Sequence, residues 1–350
     1  MIHPITILEL MKLPDRMPVL DVRTPEEFRK GHMPLAANLP LFDNEERARV
    51  GTTYKQQGRE AAILLGFDLA GPKWSGFIRQ ALALAPEKKL AVHCWRGGMR
   101  SGAMAWALDL YGFDVYLIKG GYKHYRSWTR KQAEAPYSLQ VIGGMTGSGK
   151  TKLLHELDQL GEQIIDLEDL AQHRGSSYGT LNSLIQPSQE QFENNLAAHL
   201  NQLDPNREIW VEDESGNVGR CMIPRSFWQK IRKAPLFDLQ VDAEQRVENL
   251  VREYGSLDKD FLIECTERIH KRLGLQNTKL ATTAIRDNRM ADFIRLVLVY
   301  YDKTYRATMT GRDPALVFPV IAKGADAATD ARRLLETKRT TTRLQWTTHK

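Results

Sequence analysis

Along this chain, short apolar runs are separated by longer stretches with apolar residues at helical spacing, an alternation that predicts an α/β fold. Pro18-Val19-Leu20-Asp21-Val22-Arg23 is an apolar strand ending in a charged pair. Thr24-Pro25-Glu26-Glu27-Phe28 follows as an N-cap, a proline at the first helical position and an acidic first turn. A helix over about 74–85 leads into the strand Lys89-Leu90-Ala91-Val92-His93, and a second helix begins near Ser101 with Ala103, Trp106 and Leu110. The stretch 43–58, with Arg47, Arg49 and Lys55 and with Arg59 just beyond, reads only as a long polar segment. Further on, Ser138 to Ile142 form a buried strand and Leu153, Leu154, Leu157 and Leu160 mark a helix. Gln163 to Glu168 form a strand ending in acids, Glu190 to Leu203 a helix, and Glu208-Ile209-Trp210-Val211-Glu212-Asp213-Glu214 an apolar strand running into three acids. From Asp242 to Arg312 the pattern is mostly helical, and the Thr-rich tail after Lys338 is polar.

The joint at residue 144 carries chemistry. Gly144-Met145-Thr146-Gly147-Ser148-Gly149-Lys150-Thr151 fits G-x-x-x-x-G-K-[ST] between a strand and a helix, the context a phosphate-binding P-loop requires. Gly144, Gly147 and Gly149 remove side chains that would block backbone N–H groups, including that of Ser148, from wrapping a diphosphate. Lys150 adds a point charge, and the Thr151 hydroxyl opens the helix as a ligand for Mg²⁺. The strand into Glu212-Asp213-Glu214 resembles a Walker B strand, in which Asp213 or Glu212 holds Mg²⁺ through water or acts as a base. The polar loop with His173, Arg174 and Ser176, and the Gly-bearing loop with Arg220, are candidates to touch substrate oxygens, the alternative being plain surface connections. An Asn-Lys-x-Asp guanine motif is missing, which disfavours a GTPase.

Composition limits the classes further. At 350 residues the chain accommodates two or three domains, and no apolar run approaches membrane-spanning length. Cys94, Cys221 and Cys265 lack metal-ligand spacing, and with no secretory signal the expected compartment is the cytoplasm. A net charge of +6 is a mild excess that favours a polyanionic partner. Basic positions between 242 and 312, together with Tyr300, Tyr301, Tyr305 and Arg306, make a nucleic-acid face reasonable, the plainer reading being a solvated surface.

Cys94-Trp95-Arg96-Gly97-Gly98-Met99-Arg100-Ser101 is the second chemical loop. A thiol between a strand end and a helix N-terminus, with Arg96 and Arg100 beside it, is set up to ionise and to carry an anionic persulfide or perselenide. A buried structural cysteine is the alternative, and two arginines and two glycines within so short a loop fit it poorly.

Asp21-Val22-Arg23, Glu26-Glu27-Phe28, Gly31-His32-Met33-Pro34, Ala37-Asn38-Leu39-Pro40, the Cys94 loop and Gly120-Gly121-Tyr122 resemble, in that order, a rhodanese domain from about Ile5 to Trp128. The insertion between Pro40 and Trp74 departs from ordinary single-domain rhodaneses. The expected layout is a rhodanese-like three-layer domain over 1–132, a linker, and a P-loop NTPase-like α/β domain over 138–350 that includes the helical region at about 242–312. This combination resembles the bacterial tRNA 2-selenouridine synthases over nearly the whole chain. Val50 to Gly58, His173 to Ser177, Gln186-Pro187-Ser188-Gln189, Glu212 to Ser215, Lys271 to Leu275 and Tyr300-Tyr301-Asp302 also look like that family. Thr53 and Met145 stand where cysteines are expected, the latter leaving the phosphate cradle intact.

The resemblance implies a transferase acting on 2-thiouridine at the tRNA wobble position, first alkylating sulfur with geranyl diphosphate and then replacing it with selenium from selenophosphate. It implies Cys94, Arg96, Arg100 and Asp213 as catalytic residues, Mg²⁺ on Thr151 and Asp213, tRNA as partner, and selenophosphate synthetase as a donor source. The rival reading is a sulfurtransferase fused to an ATP-dependent kinase or adenylating domain acting on a small molecule. Oligomeric state is not legible in the sequence.

Overall fold

The computed structural model describes every residue except 14–16, 174–177, 179–184 and 348–350, and over 342–347 the backbone alone. The chain divides into two compact units, Met1–Ala133 with Glu190–Gln202, and Glu134–Gln189 with Leu203–Lys350.

In the first unit, strands β1 (Ile2–Ile5), β2 (Val19–Asp21), β3 (Ala36–Asn38), β4 (Lys89–His93) and β5 (Asp114–Ile118) form a parallel sheet ordered β1-β5-β4-β2-β3. Alternation along β4 builds three layers, because successive side chains point to opposite faces. Leu90 and Val92 join a core with Phe77, Met104 and Leu108 on one face, while Ala91 joins Tyr122, Tyr125 and Trp128 on the other. The predicted start at Thr24 is a capping box in which the Thr24 hydroxyl accepts from the Glu27 N–H at 3.2 Å.

Two features differ from the pattern-based reading. The polar segment is the helix Asn44–Gln57, capped by Asp43 and without a buried residue, so it carries no apolar stripe to betray it. It turns into the helix Arg59–Ala70 at Gly58, whose φ of 91° favours glycine. The helix Gln189–Leu200 lies with the first unit from Glu190 onward, although the sequence runs its second domain unbroken from 138. Asn194 donates to the Tyr122 hydroxyl at 2.7 Å, and Arg126 donates to the Asn194 carboxamide oxygen at 2.6 Å.

In the second unit, β6 (Leu139–Gly144), β7 (Gln163–Ile165), β8 (Ile209–Glu212), β11 (Leu236–Gln240) and β12 (Val317–Ile321) form a parallel sheet ordered β12-β11-β6-β8-β7. Short strands β9 (Asn217–Val218) and β10 (Cys221–Met222) make a separate antiparallel pair. Every residue of central β6 is buried, so the sheet delivers the loop at residue 144 from a rigid position. Helices from Ala243 to Met309 pack around their own core of Leu250, Phe293, Ile294 and Val297.

Candidate active site

Cys94 stands where β4 ends, ahead of the helix Met99–Leu110. The Gly98 N–H points at its Sγ from 3.3 Å and the Ser101 hydroxyl from 3.2 Å. Burial pushes the thiol up, but hydrogen bonds from the Ser101 hydroxyl and the N–H groups of Ser101, Arg96 and Gly98 outweigh it, and the net shift is downward. The loop is closed from behind by Gly121, at φ 55°, where a Cβ would lie 2.2 Å from the Cys94 carbonyl oxygen. Tyr122 N–H then donates to that oxygen at 2.9 Å. Beneath it, buried Arg23 pairs with Asp21 at 2.6 Å, and its guanidinium carbon lies 3.7 Å from the centre of the Tyr122 ring.

The arginines of this loop act differently from the sequence expectation. Arg100 is engaged by Glu27 through contacts of 2.6 and 3.2 Å, which offsets much of its charge, and the Arg96 side chain is exposed while its N–H serves the thiol. Acidification therefore rests first on Ser101 and the loop N–H groups, and Ser101 is a site residue that the sequence reading passed over as a mere helix start. Ser101→Ala removes a donor and leaves burial less opposed, so the thiol pKa rises. Alkylation of Cys94 by iodoacetamide at neutral pH should slow, with its pH profile moved to higher pH; an unmoved profile would return the effect to Arg96 and Arg100.

In the second unit β6 ends at Gly144, and the helix Lys150–Gln159 starts directly after Gly149. Gly147, at φ 83°, leaves no room for a side chain, since a Cβ would lie 2.8 Å from the Arg246 carbonyl oxygen and 3.0 Å from Leu250. Arg246 donates to the Thr146 carbonyl at 3.2 Å and Asn249 to that of Gly147 at 2.9 Å, while the Ser148 N–H closes the loop on the Met145 carbonyl at 3.1 Å. Lys150 Nζ lies 2.8 Å from the Gly144 carbonyl, and the Ser148 hydroxyl is buried without a partner among the described residues. Gly144 N–H donates to the Tyr305 hydroxyl at 2.7 Å, which donates to Asp238 at 2.5 Å.

Beside the loop, one carboxylate oxygen each of Glu168, Glu212 and Glu214 lie within 4.8 Å of one another, and the Thr151 hydroxyl lies 3.4 Å from Glu168. Burial, first of all, holds these carboxyls above the usual range. Their mutual repulsion adds to this for Glu168 and Glu214, and the neighbouring Asp166 does so for Glu212. Glu212 Oε1 is buried with no hydrogen-bond partner among the described residues. Hard oxygen donors converging beside a phosphate loop fit Mg²⁺.

The family model described as the rhodanese-like domain matches residues 6–127, and that described as the tRNA 2-selenouridine synthase AAA domain matches residues 137–330. The chain belongs to the tRNA 2-selenouridine synthase family. Proteins named tRNA 2-selenouridine synthase from Nitrosomonas europaea, Pseudomonas putida strain GB-1 and Shewanella frigidimarina are 40%, 37% and 34% identical to it. These alignments take in 68%, 81% and 87% of this chain. The Nitrosomonas match spans 63% of that protein's length, against 80% and 92% for the other two.

For this synthase-family chain the expected magnesium ligand Asp213 is placed elsewhere. Glu212 at the end of β8 and Glu214 just past it join Glu168, while Asp213 between them turns away and its carboxylate meets Arg312 at 2.5 Å and Arg232 at 3.6 Å. The Thr151 hydroxyl lies beside Glu168, which with Glu214 was foreshadowed only by strands ending in acids. Asp213→Ala should act through stability, because it leaves Arg312, whose side chain is 2% exposed, without its carboxylate. The expected loss is about 3–5 kcal/mol in urea unfolding. Unchanged stability with lost activity would restore Asp213 to the ion.

His173 and Arg220 are brought to one place. A Cβ on Gly219 would lie 2.6 Å from the buried His173 ring and 2.4 Å from the Gln186 amide, while Arg220 N–H donates to Gln186 Oε1 at 3.0 Å and its guanidinium to the Gln186 carbonyl. Burial lowers the His173 pKa, which keeps the ring neutral. Arg174 and Ser176 lie outside the described residues. The nucleic-acid face read from 242–312 loses members to the interior and to ion pairs. Arg246 pairs with Asp302, Tyr305 serves Gly144, and Arg289 and Arg295 are matched by acids.

Proposed function

We propose that this chain is a tRNA-modifying transferase that replaces sulfur by selenium in 2-thiouridine at the wobble position, working through an S-geranylated intermediate. What carries the reading is the presence in one chain of an acidified cysteine loop and a phosphate loop with adjoining carboxylates. The similarity to proteins named tRNA 2-selenouridine synthase supports the substrate.

In the first step the 2-thio sulfur attacks C1 of geranyl diphosphate, the C–O bond breaks, and diphosphate leaves with the electron pair. Lys150, the Ser148 hydroxyl and the N–H groups of Gly147, Gly149, Lys150 and Thr151 are suited to take up that charge. Mg²⁺, when held by Thr151 with Glu212, Glu168 and Glu214, supplies further neutralisation. Alkylation turns the sulfur into a good leaving group. In the second step selenium from selenophosphate bonds to C2, the C2–S bond breaks with loss of geranylthiol, and water takes the phosphoryl group as phosphate. The N–H groups around Cys94 are suited to hold the anionic selenium of selenophosphate while it attacks C2, with no S–Se bond formed and selenium kept at the selenide level.

The partners in this reading are tRNA and, as donor source, selenophosphate synthetase, in the cytoplasm; among the described residues no helix is long and apolar enough to cross a membrane. Incubation of the purified chain with 2-thiouridine tRNA, geranyl diphosphate, Mg²⁺ and selenophosphate should yield S-geranyl and then 2-selenouridine nucleosides by mass spectrometry. Turnover of ATP on a small molecule, with tRNA unchanged, would favour the kinase-fused sulfurtransferase instead.

A further inference from the structure

The helix Asn44–Gln57 does little for the core of the first unit, since only its Val50 packs there and none of its residues is fully buried. Its outer surface carries charge instead. Arg47, Arg49 and Lys55, with Arg59 at the start of the next helix, are exposed and have no ion-pair partner among the described residues. The acids nearby are used locally. Asp43 caps the helix, Glu46 is held by Lys73, and Glu45 and Glu60 lie in first turns, where the helix dipole favours them. The region 242–312 differs in this respect, because its Arg246, Arg289 and Arg295 are matched by carboxylates.

Arg47, Gly51, Tyr54 and Lys55 follow at i, i+4, i+7 and i+8 and so share one face of the helix. Glycine is a poor helix former in mid-helix, yet here it leaves the backbone bare with the Arg47 guanidinium across it: a Cβ on Gly51 would lie 2.8 Å from Nη1. One turn further on, Tyr54 is 54% exposed. The start of the helix is tied to the cysteine loop, since Asn44 Oδ1 accepts from the Glu26 N–H at 3.1 Å and the adjacent Glu27 accepts from Arg100 at 2.6 Å. Two unpaired cations and an exposed aromatic around bare backbone fit a single-stranded polyanion whose bases are open to stacking. We propose that this face receives the anticodon loop of the tRNA, with Arg47 and Lys55 on phosphates and the Tyr54 ring against a base, and so brings the wobble uridine to the neighbouring Cys94 loop. This rests on the tRNA substrate proposed above and adds the surface that binds it.

The test is binding of 2-thiouridine tRNA to the full-length chain by fluorescence anisotropy over a salt series. The wild-type chain should lose affinity steeply as salt rises. Arg47→Gln combined with Lys55→Gln should flatten the slope of log affinity against log salt by about 1.4, two phosphate contacts at about 0.7 each for a single strand. Arg47→Lys combined with Lys55→Arg, which keeps both charges, should restore the slope. Tyr54→Ala should weaken binding by about tenfold with the slope unmoved, as the loss of one stacked base would. Helical content by circular dichroism should stay the same, because none of these side chains belongs to the core. Wild-type binding that is steep in salt but indifferent to all of these variants overturns this face and leaves the proposed transferase standing. A wild-type chain that binds no tRNA even at low salt removes both.

Discussion

Lys150→Ala should abolish alkylation of 2-thiouridine while leaving the protein folded. The lysine is the one side-chain cation of the phosphate loop, and diphosphate departs only as fast as its developing charge is met. Removing a single stabiliser of that kind commonly costs on the order of 10² to 10³ in rate. Here a second loss adds to it, because Lys150 also opposes the raised pKa values of Glu168, Glu212 and Glu214; without it the carboxyls hold their protons more firmly and become poorer ligands for Mg²⁺. Lys150→Arg should rescue little, since a planar guanidinium does not replace a compact ammonium next to the Gly144 carbonyl. Geranyl transfer, followed by chromatography of digested tRNA, reads the result, and an undiminished rate would remove this loop from the reaction.

Cys94→Ala should separate the two steps. The thiol lies in the first unit among donors that favour one soft anion, and the diphosphate cradle and its carboxylates belong wholly to the second. Geranyl transfer should therefore persist while selenium insertion stops, and S-geranylated tRNA should accumulate in the presence of selenophosphate. Cys94→Ser should behave the same way, for a serine hydroxyl is not ionised at neutral pH and is a hard oxygen group in place of a soft sulfur. Normal selenouridine from either variant would mean that selenophosphate reacts with the base unaided. The cysteine loop would then be a scaffold or a tRNA contact.

Both loops were legible in the amino-acid order because their conformations are local. Gly147 and Gly149 adopt positive φ angles between a strand and a helix, and the Cys94 loop is held by N–H groups within a few residues of the thiol. The parallel α/β architecture was legible as well, from apolar runs bounded by caps and turns. The helix Asn44–Gln57 escaped because, with only Val50 packed against the core and no residue fully buried, it carries no apolar stripe to leave a periodic trace.

Tertiary structure alone decided which charges face which site. Glu212, Asp213 and Glu214 are chemically similar neighbours, and only the position of β8 beside β6 determines that the outer two join Glu168 while the middle one meets Arg312. Arg246 and Tyr305 look like surface groups on paper, yet the packing of their helices turns one toward Asp302 and the Thr146 carbonyl and the other toward Gly144. Likewise Glu190 to Gln202 belong with the first unit because Tyr122 and Arg126 supply partners for Asn194 that no local pattern announces. Dihedral preference and hydrophobic period act over a few residues and are written in sequence. The pairing of a buried charge depends on groups tens to a hundred residues away, and only the closed fold brings them together.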